Sequence, residues 1–363
     1  MFSERVARVR QRMAEVGVDC MLLSLGADLP WLTGYTAMPL ERLTMLVLPA
    51  DADATLVIAQ LEAPRVEEHP DVFSIQPWSE TDDPVALVAK LVGGRTRLGI
   101  SDRAWATFLL QLQASLPSAQ FQVASHVTSP LRAVKDDAEI AALTGASAAA
   151  DRVAAQLQAG DIPMIGRTEA AVSRELSDRL VAEGHAHVNF AIVGSGPNSA
   201  SPHHHASDRV IQPNEAVVCD FGGTMPDGYC SDITRTVFTG DPPAEFRDLY
   251  AVLSAAQAAA VTAATVGTPC EDVDGVARRI IEDGGYGPHF IHRTGHGIGL
   301  EEHEDPYIVG GNCEALAPGH AFSVEPGIYL AGKYGARIED IVIAAAAGPQ
   351  PLNHVPHGLA VVG

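Results

Sequence analysis

Two segments in the last 150 residues of this chain carry acidic side chains where a strand pattern would place apolar ones. Residues 215–238 and 320–343 each have the pattern of a strand, a glycine-containing turn and a second strand. Each arm carries one acid: Asp220 and Asp232 in the first segment, and Glu325 and Glu339 in the second. Because side chains alternate between faces along a strand, each hairpin can present both of its acids on one surface. Two such hairpins bring four carboxylates together.

Four neighbouring carboxylates imply either a compensating cation or a functional titration. Like charges that share a site raise each other's pKa, and they destabilise the fold unless a cation neutralises them. His296 lies between two glycines, which let the backbone come close to whatever the imidazole binds. Two divalent ions balance the charge of four carboxylates and a neutral imidazole. The sequence therefore predicts a dinuclear metal site, with the ligands Asp220, Asp232, His296, Glu325 and Glu339.

Further histidines crowd two short stretches of the chain. Residues 290–306 contain His292 and His303 as well as His296, and residues 202–208 contain three consecutive histidines, His203, His204 and His205. The run of three is internal and is followed by a Ser-Asp turn, so it does not look like a purification tag. We expect His204 and His205 to be surface residues.

At these residues the chain resembles the pita-bread metallopeptidases, and within them the Xaa-Pro branch of prolidase and aminopeptidase P. The resemblance covers residues 136–363. It rests on six motifs in the family's order and approximate spacing, each weak alone and strong together. The motifs are ASPH ending at His203, CDFGG with Asp220, SDITRT with Asp232, HRTGHGIGLEEHE with His296 and His303, SVEPGIY with Glu325, and ARIEDIV with Glu339.

The domain organisation follows from the element pattern and from this resemblance. Residues 1–131 alternate helix-like and strand-like stretches, which predicts a separate α/β domain. The resemblance implies a creatinase-like N-terminal domain there and a pita-bread catalytic domain over 136–363, so the fold class is α/β (α+β). Residues 128–137, which include Pro130, have the composition of a linker. We expect helices at 137–157, 168–183 and 244–265.

The resemblance implies hydrolysis of the peptide bond before proline by a metal-bridging hydroxide, in an Xaa-Pro aminopeptidase or an Xaa-Pro dipeptidase. An oxygen-rich site with one imidazole suits Mn²⁺ first, with Co²⁺ or Zn²⁺ as alternatives. Glu325 is expected to take the proton of the attacking water. By resemblance, His203 and His303 flank the scissile bond, and His292 helps to position the substrate or a group behind the ligands. Arg337 would hold the acidic ligands in place.

Two details of the first hairpin give further expectations. Asp220 and Asp232 are twelve positions apart, one more than is common in the family, and we expect a β-bulge to keep them in phase. Cys219 and Cys230 flank the acids and are expected on the opposite strand face as core thiols.

Composition limits the partners and the compartment. A net charge of −21 leaves no basic surface for nucleic acid and favours small neutral or zwitterionic ligands. The resemblance implies that these are short proline-containing peptides. The N-terminal stretch is a charged amphipathic helix without a signal peptide or membrane span, which indicates a cytoplasmic protein with no membrane partner. Five cysteines, an odd number without paired spacing, suit reduced thiols. The resemblance implies a homodimer.

Other members of the pita-bread fold offer alternatives. Methionine aminopeptidase shares the metal set but usually lacks a separate N-terminal domain. A creatinase-like C–N amidinohydrolase shares the two-domain layout, and a non-catalytic pita-bread module binds peptides, but both lose the metal ligands. Because this chain keeps all of the ligand positions, the metallopeptidase interpretation is preferred.

Overall fold

The computed structural model describes residues 1–363 as two compact units, Met1–Arg132 and Ala133–Gly363. The first unit is built on a six-stranded sheet with the order β4-β3-β2-β1-β5-β6. Its strands are β1 (Cys20–Leu23), β2 (Met45–Pro49), β3 (Ala54–Ala59), β4 (Phe73–Trp78), β5 (Arg97–Ile100) and β6 (Gln120–Val123). Its helices are α1 (Phe2–Val16), α2 (Asp28–Thr33), α3 (Pro84–Val92), α4 (Ala106–Ser115) and α5 (Ser125–Ala133), the last ending on the first residue of the second unit.

Local sequence signals account for the elements of the first unit. Helix α1 buries Val9 and Met13 on one face and ends where Gly17 adopts a left-handed φ of 74°. Strand β1 consists of buried residues and pairs in parallel with β5 and antiparallel with β2. The expected linker is wrong for residues 128–133, because α5 continues through Pro130. The proline removes one backbone donor, but its ring fixes φ near the helical value.

The second unit combines four helices with two main sheets and a small hairpin. Its helices are α6 (Asp137–Ala159), α7 (Glu169–Ala182), α8 (Ala244–Ala263) and α9 (Cys270–Asp283). Its strands are β7 (His187–Ser195), β8 (Glu215–Thr224), β9 (Cys230–Thr239), β10 (Gly295–Gly297), β11 (Glu304–Ile308), β12 (Ala321–Val324), β13 (Gly327–Leu330), β14 (Tyr334–Arg337), β15 (Asp340–Ala345), β16 (Gly348–Pro351) and β17 (Ala360–Val362). The three expected helices correspond to α6, α7 and α8. Across the whole chain, no helix combines the length and apolar character needed to span a bilayer.

Each main sheet of the second unit packs one apolar face against a pair of helices. The sheet β17-β9-β8-β7 lies against α6 and α7 through a core that includes Val217, Phe221, Ile233, Leu157 and Leu176. The sheet β11-β10-β12-β15-β16 lies against α8 and α9 through a core that includes Phe322, Val342, Leu253 and Val273. Because side chains alternate along each strand, the other face of the first sheet carries Asp220, Asp232 and Thr234. The other face of the second sheet carries Ala321, Ile341 and Ile343, which join a further apolar cluster.

The β8–β9 hairpin is regular over its whole length. Asp220 pairs with Thr234 and Gly222 pairs with Asp232, without a shift in register. Asp232 therefore lies two residues before Thr234, the partner of Asp220, and the two acids share one face of the sheet. The expected bulge is absent. Cys219 lies on the opposite face, as expected, but Cys230 is two residues from Asp232 and shares its face, so that part of the expectation is wrong. Both cysteines are buried free thiols.

The second acidic segment is not a simple hairpin. Strands β12 and β15 pair up to Val324 and Asp340, and the small hairpin β13–β14 is inserted between them. Glu325 and Glu339 therefore lie just beyond the strand ends and not on the arms. Pro326, which has no N–H to continue a ladder, follows Glu325 directly.

Candidate metal centre

The structure brings all of the predicted site residues into one cavity of about 900 Å³ within the second unit. The cavity is lined from strands β7, β8 and β9 of the first main sheet, from β10, and from the residues just beyond the ends of β12 and β15. The predicted residues that line it are Asp220, Asp232, His296, Glu325, Glu339, His203, His292, His303 and Arg337.

The predicted ligands approach one another closely at the base of this cavity. His296 Nε2 lies 3.2 Å from Glu325 Oε1 and 3.7 Å from Asp232 Oδ2. One ligand atom from each of Asp232, His296 and Glu339 lies within 4.8 Å of the other two. Asp220 extends the group along β8, diagonal to Asp232. The β8–β9 hairpin, the short strand β10 and the ends of β12 and β15 thus converge on one point.

Burial and mutual repulsion disturb the ionisation of these carboxyl groups. Burial, and then the neighbouring carboxylates, raise the pKa of Asp232 and of Glu339 well above their ordinary values. Burial also raises the pKa of Asp220, although Arg337 opposes the shift. Burial disfavours the charged form of Glu325 too, but hydrogen bonding to His296 outweighs it, and the pKa of Glu325 falls to about 2.

The donor set fits divalent cations. Asp220 Oδ1 and Asp232 Oδ1 are buried and have no hydrogen-bond partner in the protein, which is costly for a carboxylate unless a cation supplies the missing interaction. His296 Nδ1 lies 3.1 Å from the carbonyl of Gly297. Nδ1 can keep its proton on that carbonyl, so Nε2, which hydrogen-bonds Glu325 in the absence of a cation, would be free to give up its proton and coordinate one. Oxygen donors with one imidazole suit a cation such as Mn²⁺.

Arg337 connects Asp220 on β8 with Glu339, which precedes β15. Its Nη2 donates to Asp220 Oδ2 at 2.5 Å, and its Nε donates to the hydroxyl of Thr234 at 3.1 Å. That hydroxyl donates to Glu339 Oε2 at 2.7 Å. Arg337 Nη1 donates to the Tyr329 hydroxyl at 2.8 Å. The guanidinium therefore holds one acid directly and a second through Thr234, as the family resemblance implies.

His292 belongs to the same network. Its Nδ1 lies 2.7 Å from the carbonyl of Arg293 and its Nε2 lies 2.9 Å from the Tyr329 hydroxyl. Since Tyr329 accepts from Arg337, it donates to His292 Nε2. Both ring nitrogens are therefore occupied by the protein. This arrangement favours the second of the two expectations for His292, namely support for a group behind the ligands.

His303 and His203 have different surroundings. The His303 ring lies over the His296 ring with 4.0 Å between centroids, and burial lowers the pKa of His303 to about 4, so its imidazole is neutral at pH 7. His203 is exposed to the cavity. We expected His204 to be a surface residue, but that expectation is wrong. Its Nε2 lies 2.8 Å from Glu169 Oε2. His205 is exposed and lines the cavity.

Three residues that contribute to the site were not identified from the sequence. Arg293 lines the cavity, its guanidinium lies 4.4 Å from the centre of the Tyr307 ring, and it forms no ion pair with any carboxylate of the chain. Its position between two predicted site histidines was an available signal. Thr234 shares a strand face with Asp232, which alternation could have indicated. Tyr329 carries no comparable sequence signal.

Comparison with known proteins agrees with this geometry. Residues 140–346 match the family described as metallopeptidase family M24, and residues 5–134 match the creatinase/prolidase N-terminal domain. The chain is 42% identical over 366 residues to a probable dipeptidase PepE of Mycobacterium tuberculosis, covering all of this chain and 97% of that protein. It is 34% identical over 367 residues to an Xaa-Pro dipeptidase of Lactobacillus delbrueckii subsp. lactis, covering 98% of both.

Solved structures agree as well. The crystal structure of a prolidase from Thermococcus sibiricus is 34% identical and superposes with a TM-score of 0.93, over all of this chain and 99% of that one. The expected fold class, a creatinase-like α/β domain followed by a pita-bread domain, is thereby confirmed. The chain belongs to metallopeptidase family M24 and is a hydrolase of that family.

Proposed function

We propose that this protein is a metal-dependent Xaa-Pro dipeptidase. The observation that carries the proposal is the convergence of four acids and His296 at the base of a cavity whose wall also holds a guanidinium, that of Arg293, with no carboxylate partner. The first group suits divalent cations, and the second suits the free carboxylate of a two-residue peptide. The names of the Lactobacillus and Thermococcus relatives support the same substrate class.

Asp220, Asp232, His296, Glu325 and Glu339 would hold two divalent ions. When bound, the ions would supply Lewis acidity, which would polarise the scissile carbonyl and lower the pKa of the attacking water towards ~7.

The protein's own groups carry the remaining chemistry. Glu325, whose carboxylate lies 3.2 Å from His296 among the predicted ligands, would accept the proton of the attacking water. His303 is a neutral imidazole with an N–H to donate, and His203 faces the same cavity without a competing partner. One of them donates to the carbonyl oxygen as charge develops, and the other supports the departing proline nitrogen.

Arg293 would make the enzyme prefer dipeptides over longer peptides. A dipeptide ends in a carboxylate one residue beyond the scissile bond, whereas a longer peptide continues there with an uncharged amide. Arginine binds a carboxylate through a bidentate pair, and stacking on Tyr307 fixes the plane of the guanidinium. The Arg293 guanidinium therefore pairs with a carboxylate only when the substrate ends at proline.

The other candidate functions have less support. A creatinase-like amidinohydrolase and a non-catalytic peptide-binding module have no use for five converging metal ligands. An aminopeptidase P would act on longer peptides, for which an unpaired guanidinium in the cavity has no partner. Manganese as the metal, a homodimeric assembly and a cytoplasmic location remain predictions from the sequence.

The preference for a free carboxylate can be tested with matched substrates. We expect the wild-type protein with Mn²⁺ to cleave Ala-Pro at least about tenfold more efficiently than Ala-Pro-amide, because a hydrogen bond to a charged group contributes about 1.5–3 kcal/mol. In Arg293→Met that difference should vanish, mainly through a higher KM for Ala-Pro. Arg174→Met, which changes an exposed arginine of α7, is the matched control.

The results separate the alternatives. Equal cleavage of Ala-Pro and Ala-Pro-Ala by the wild-type protein would indicate an aminopeptidase P. A substrate preference that survives Arg293→Met would remove Arg293 from carboxylate recognition. Cleavage of no Xaa-Pro peptide under any metal would refute the proposed function itself.

A further inference from the structure

A second buried carboxylate, remote from the metal ligands, organises one wall of the cavity. Glu169 is the first residue of α7, and no part of its side chain is exposed. Its Oε1 accepts hydrogen bonds from Ser195 N at 2.8 Å, Ser195 Oγ at 2.7 Å and Asn198 Nδ2 at 3.0 Å. Its Oε2 accepts from His204 Nε2 at 2.8 Å, and from Ser207 N at 3.1 Å and Ser207 Oγ at 2.6 Å. One carboxylate thus binds donors along residues 195–207.

These donors surround His203 in the sequence. Residues 195–207, which we call the histidine segment, leave β7, form a short 3-10 turn at Gly196–Ala200 and contribute His203, His204 and His205 to the cavity wall. Within the segment, Glu169 contacts residues on both sides of His203. The carbonyl of Pro202, directly before His203, accepts from Arg337 Nη1 at 3.3 Å.

The ring of His203 has no partner of its own within the protein. Its position therefore depends on its two neighbours, with Pro202 tied to Arg337 on the metal side and His204 tied to Glu169 on the other. A buried anion is expensive unless its oxygens are fully hydrogen-bonded, and here they are. These contacts order the segment without exposing the carboxylate to the substrate.

A second ion pair strengthens the start of the segment. Arg209 Nη1 donates to Ser195 Oγ at 2.6 Å, and both of its terminal nitrogens bind the Glu215 carboxylate at 2.6 Å. Since Ser195 Oγ donates its own proton to Glu169, the network runs from β8 through Arg209 to α7. The hydrogen bonds to Glu169 also lower its pKa to about 2, although burial acts in the opposite direction, so the carboxylate stays charged at working pH.

We propose that Glu169 is a positioning residue, which fixes the histidine segment so that His203 is held at the scissile bond. This inference rests on the proposed function, because it takes His203 as a group that contacts the substrate. Glu169 itself does not contact the substrate. Its removal should leave the metal site intact and should displace the His203 ring.

The test compares Glu169→Gln with Glu175→Gln. Glu175 is on the same helix and, like Glu169, is a carboxylate with several partners. It pairs with Arg167 at 2.5 Å and with Arg179 at 2.6 Å, but it contacts no part of the histidine segment. We expect Glu169→Gln to bind Mn²⁺ as the wild type does and to lower kcat for Ala-Pro about 10- to 100-fold with little change in KM, because small misplacements of a catalytic group have effects of this size. Glu175→Gln should keep the wild-type kcat.

A double variant separates positioning from general damage. His203→Ala should lower kcat about 10²–10³-fold, as loss of one donor to a developing oxyanion does. If Glu169 acts through His203, adding Glu169→Gln to His203→Ala lowers kcat no further. Multiplicative effects would overturn the proposal. If Glu169→Gln does not fold, Ser207→Ala, which removes one donor, should show the same pattern more weakly.

Hydrogen exchange tests the structural half of the proposal without any activity. Amides of residues 195–207 should exchange at least about tenfold faster in Glu169→Gln than in the wild type, while β8 and β9 keep their protection. Unchanged exchange in this segment would refute the anchoring role. A wild-type protein that cleaves no Xaa-Pro peptide would refute the proposed function instead, and the exchange result would still decide whether Glu169 orders the segment.

Discussion

The substitution Gly295→Ala tests how closely β10 must pack to hold His296, a predicted metal ligand. A Cβ atom at Gly295 would lie 1.8 Å from the backbone oxygen of Ser323 on β12, whereas Cβ contacts below 3.0 Å essentially never occur. In Gly295→Ala the two strands must therefore separate by at least 1.2 Å, the difference between 3.0 and 1.8 Å. Metal–ligand distances tolerate about ±0.2 Å. We expect Mn²⁺ affinity to fall about 10- to 100-fold, and overpacking to cost about 1–3 kcal/mol of stability.

The measurement is Mn²⁺ titration calorimetry together with urea unfolding of the metal-free protein. The matched control is Gly145→Ala in α6, where an added Cβ meets nothing within 4 Å. Gly145 is an exposed helical position, so alanine should stabilise the protein by about 0.5–1 kcal/mol and leave Mn²⁺ affinity unchanged. A Gly295→Ala protein that binds Mn²⁺ within threefold of the wild type would refute the reasoning about strand spacing.

Three further predictions concern stability. Adding Mn²⁺ at about 100 times its Kd to the chelator-treated protein should stabilise it by about 2.7 kcal/mol, seen as a Tm increase of about 3–4 °C; an unchanged Tm would mean that no ion binds the native state. Because the pKa of Glu169 is about 2, against an ordinary 4.5, its stabilisation is complete above about pH 4.5 and is lost as pH falls towards 2, so the difference in unfolding free energy between wild type and Glu169→Gln should shrink over that range. A constant difference would contradict the assigned pKa. Arg235 is fully buried, and its Nη2 lies 2.7 Å from Asp340 Oδ1. Arg235→Met should therefore lower the free energy of unfolding by about 3–5 kcal/mol, and a decrease below about 1 kcal/mol in urea unfolding would be inconsistent with that buried pair.

The positions of the ligands could be predicted because strand alternation is a local rule. Asp220 and Asp232 are close in sequence, and one regular hairpin places them on one face. The predicted site residues also share one cavity, which follows from motifs in a known order. Their catalytic roles, and the domain limits 1–131 and 136–363, remain predictions.

Long-range contacts could not be predicted in the same way. The insertion of β13–β14 between Glu325 and Glu339 depends on which strands pair, and glycine spacing does not encode that choice. His204 looked like a surface residue because its partner, Glu169, lies 35 positions away on another element. The role of Arg293 likewise depends on the absence of an acid nearby in space, which no sequence window reports.

The helix through Pro130 shows the limit of a local rule. Proline disfavours helix on average, yet the surrounding residues of α5 continue it through one missing hydrogen bond. Tertiary packing decided that segment, and its sequence had indicated a break.

The most direct test of the central claim is hydrolysis of Ala-Pro by chelator-stripped protein before and after addition of Mn²⁺, with Glu325→Gln measured alongside. We predict no measurable turnover without metal, turnover restored by Mn²⁺ in the wild type, and a loss of at least about 10²-fold in kcat for Glu325→Gln, since Glu325 is assigned both to the metals and to the proton of the water. Turnover that survives complete removal of metal, or a Glu325→Gln protein as active as the wild type, would contradict the account.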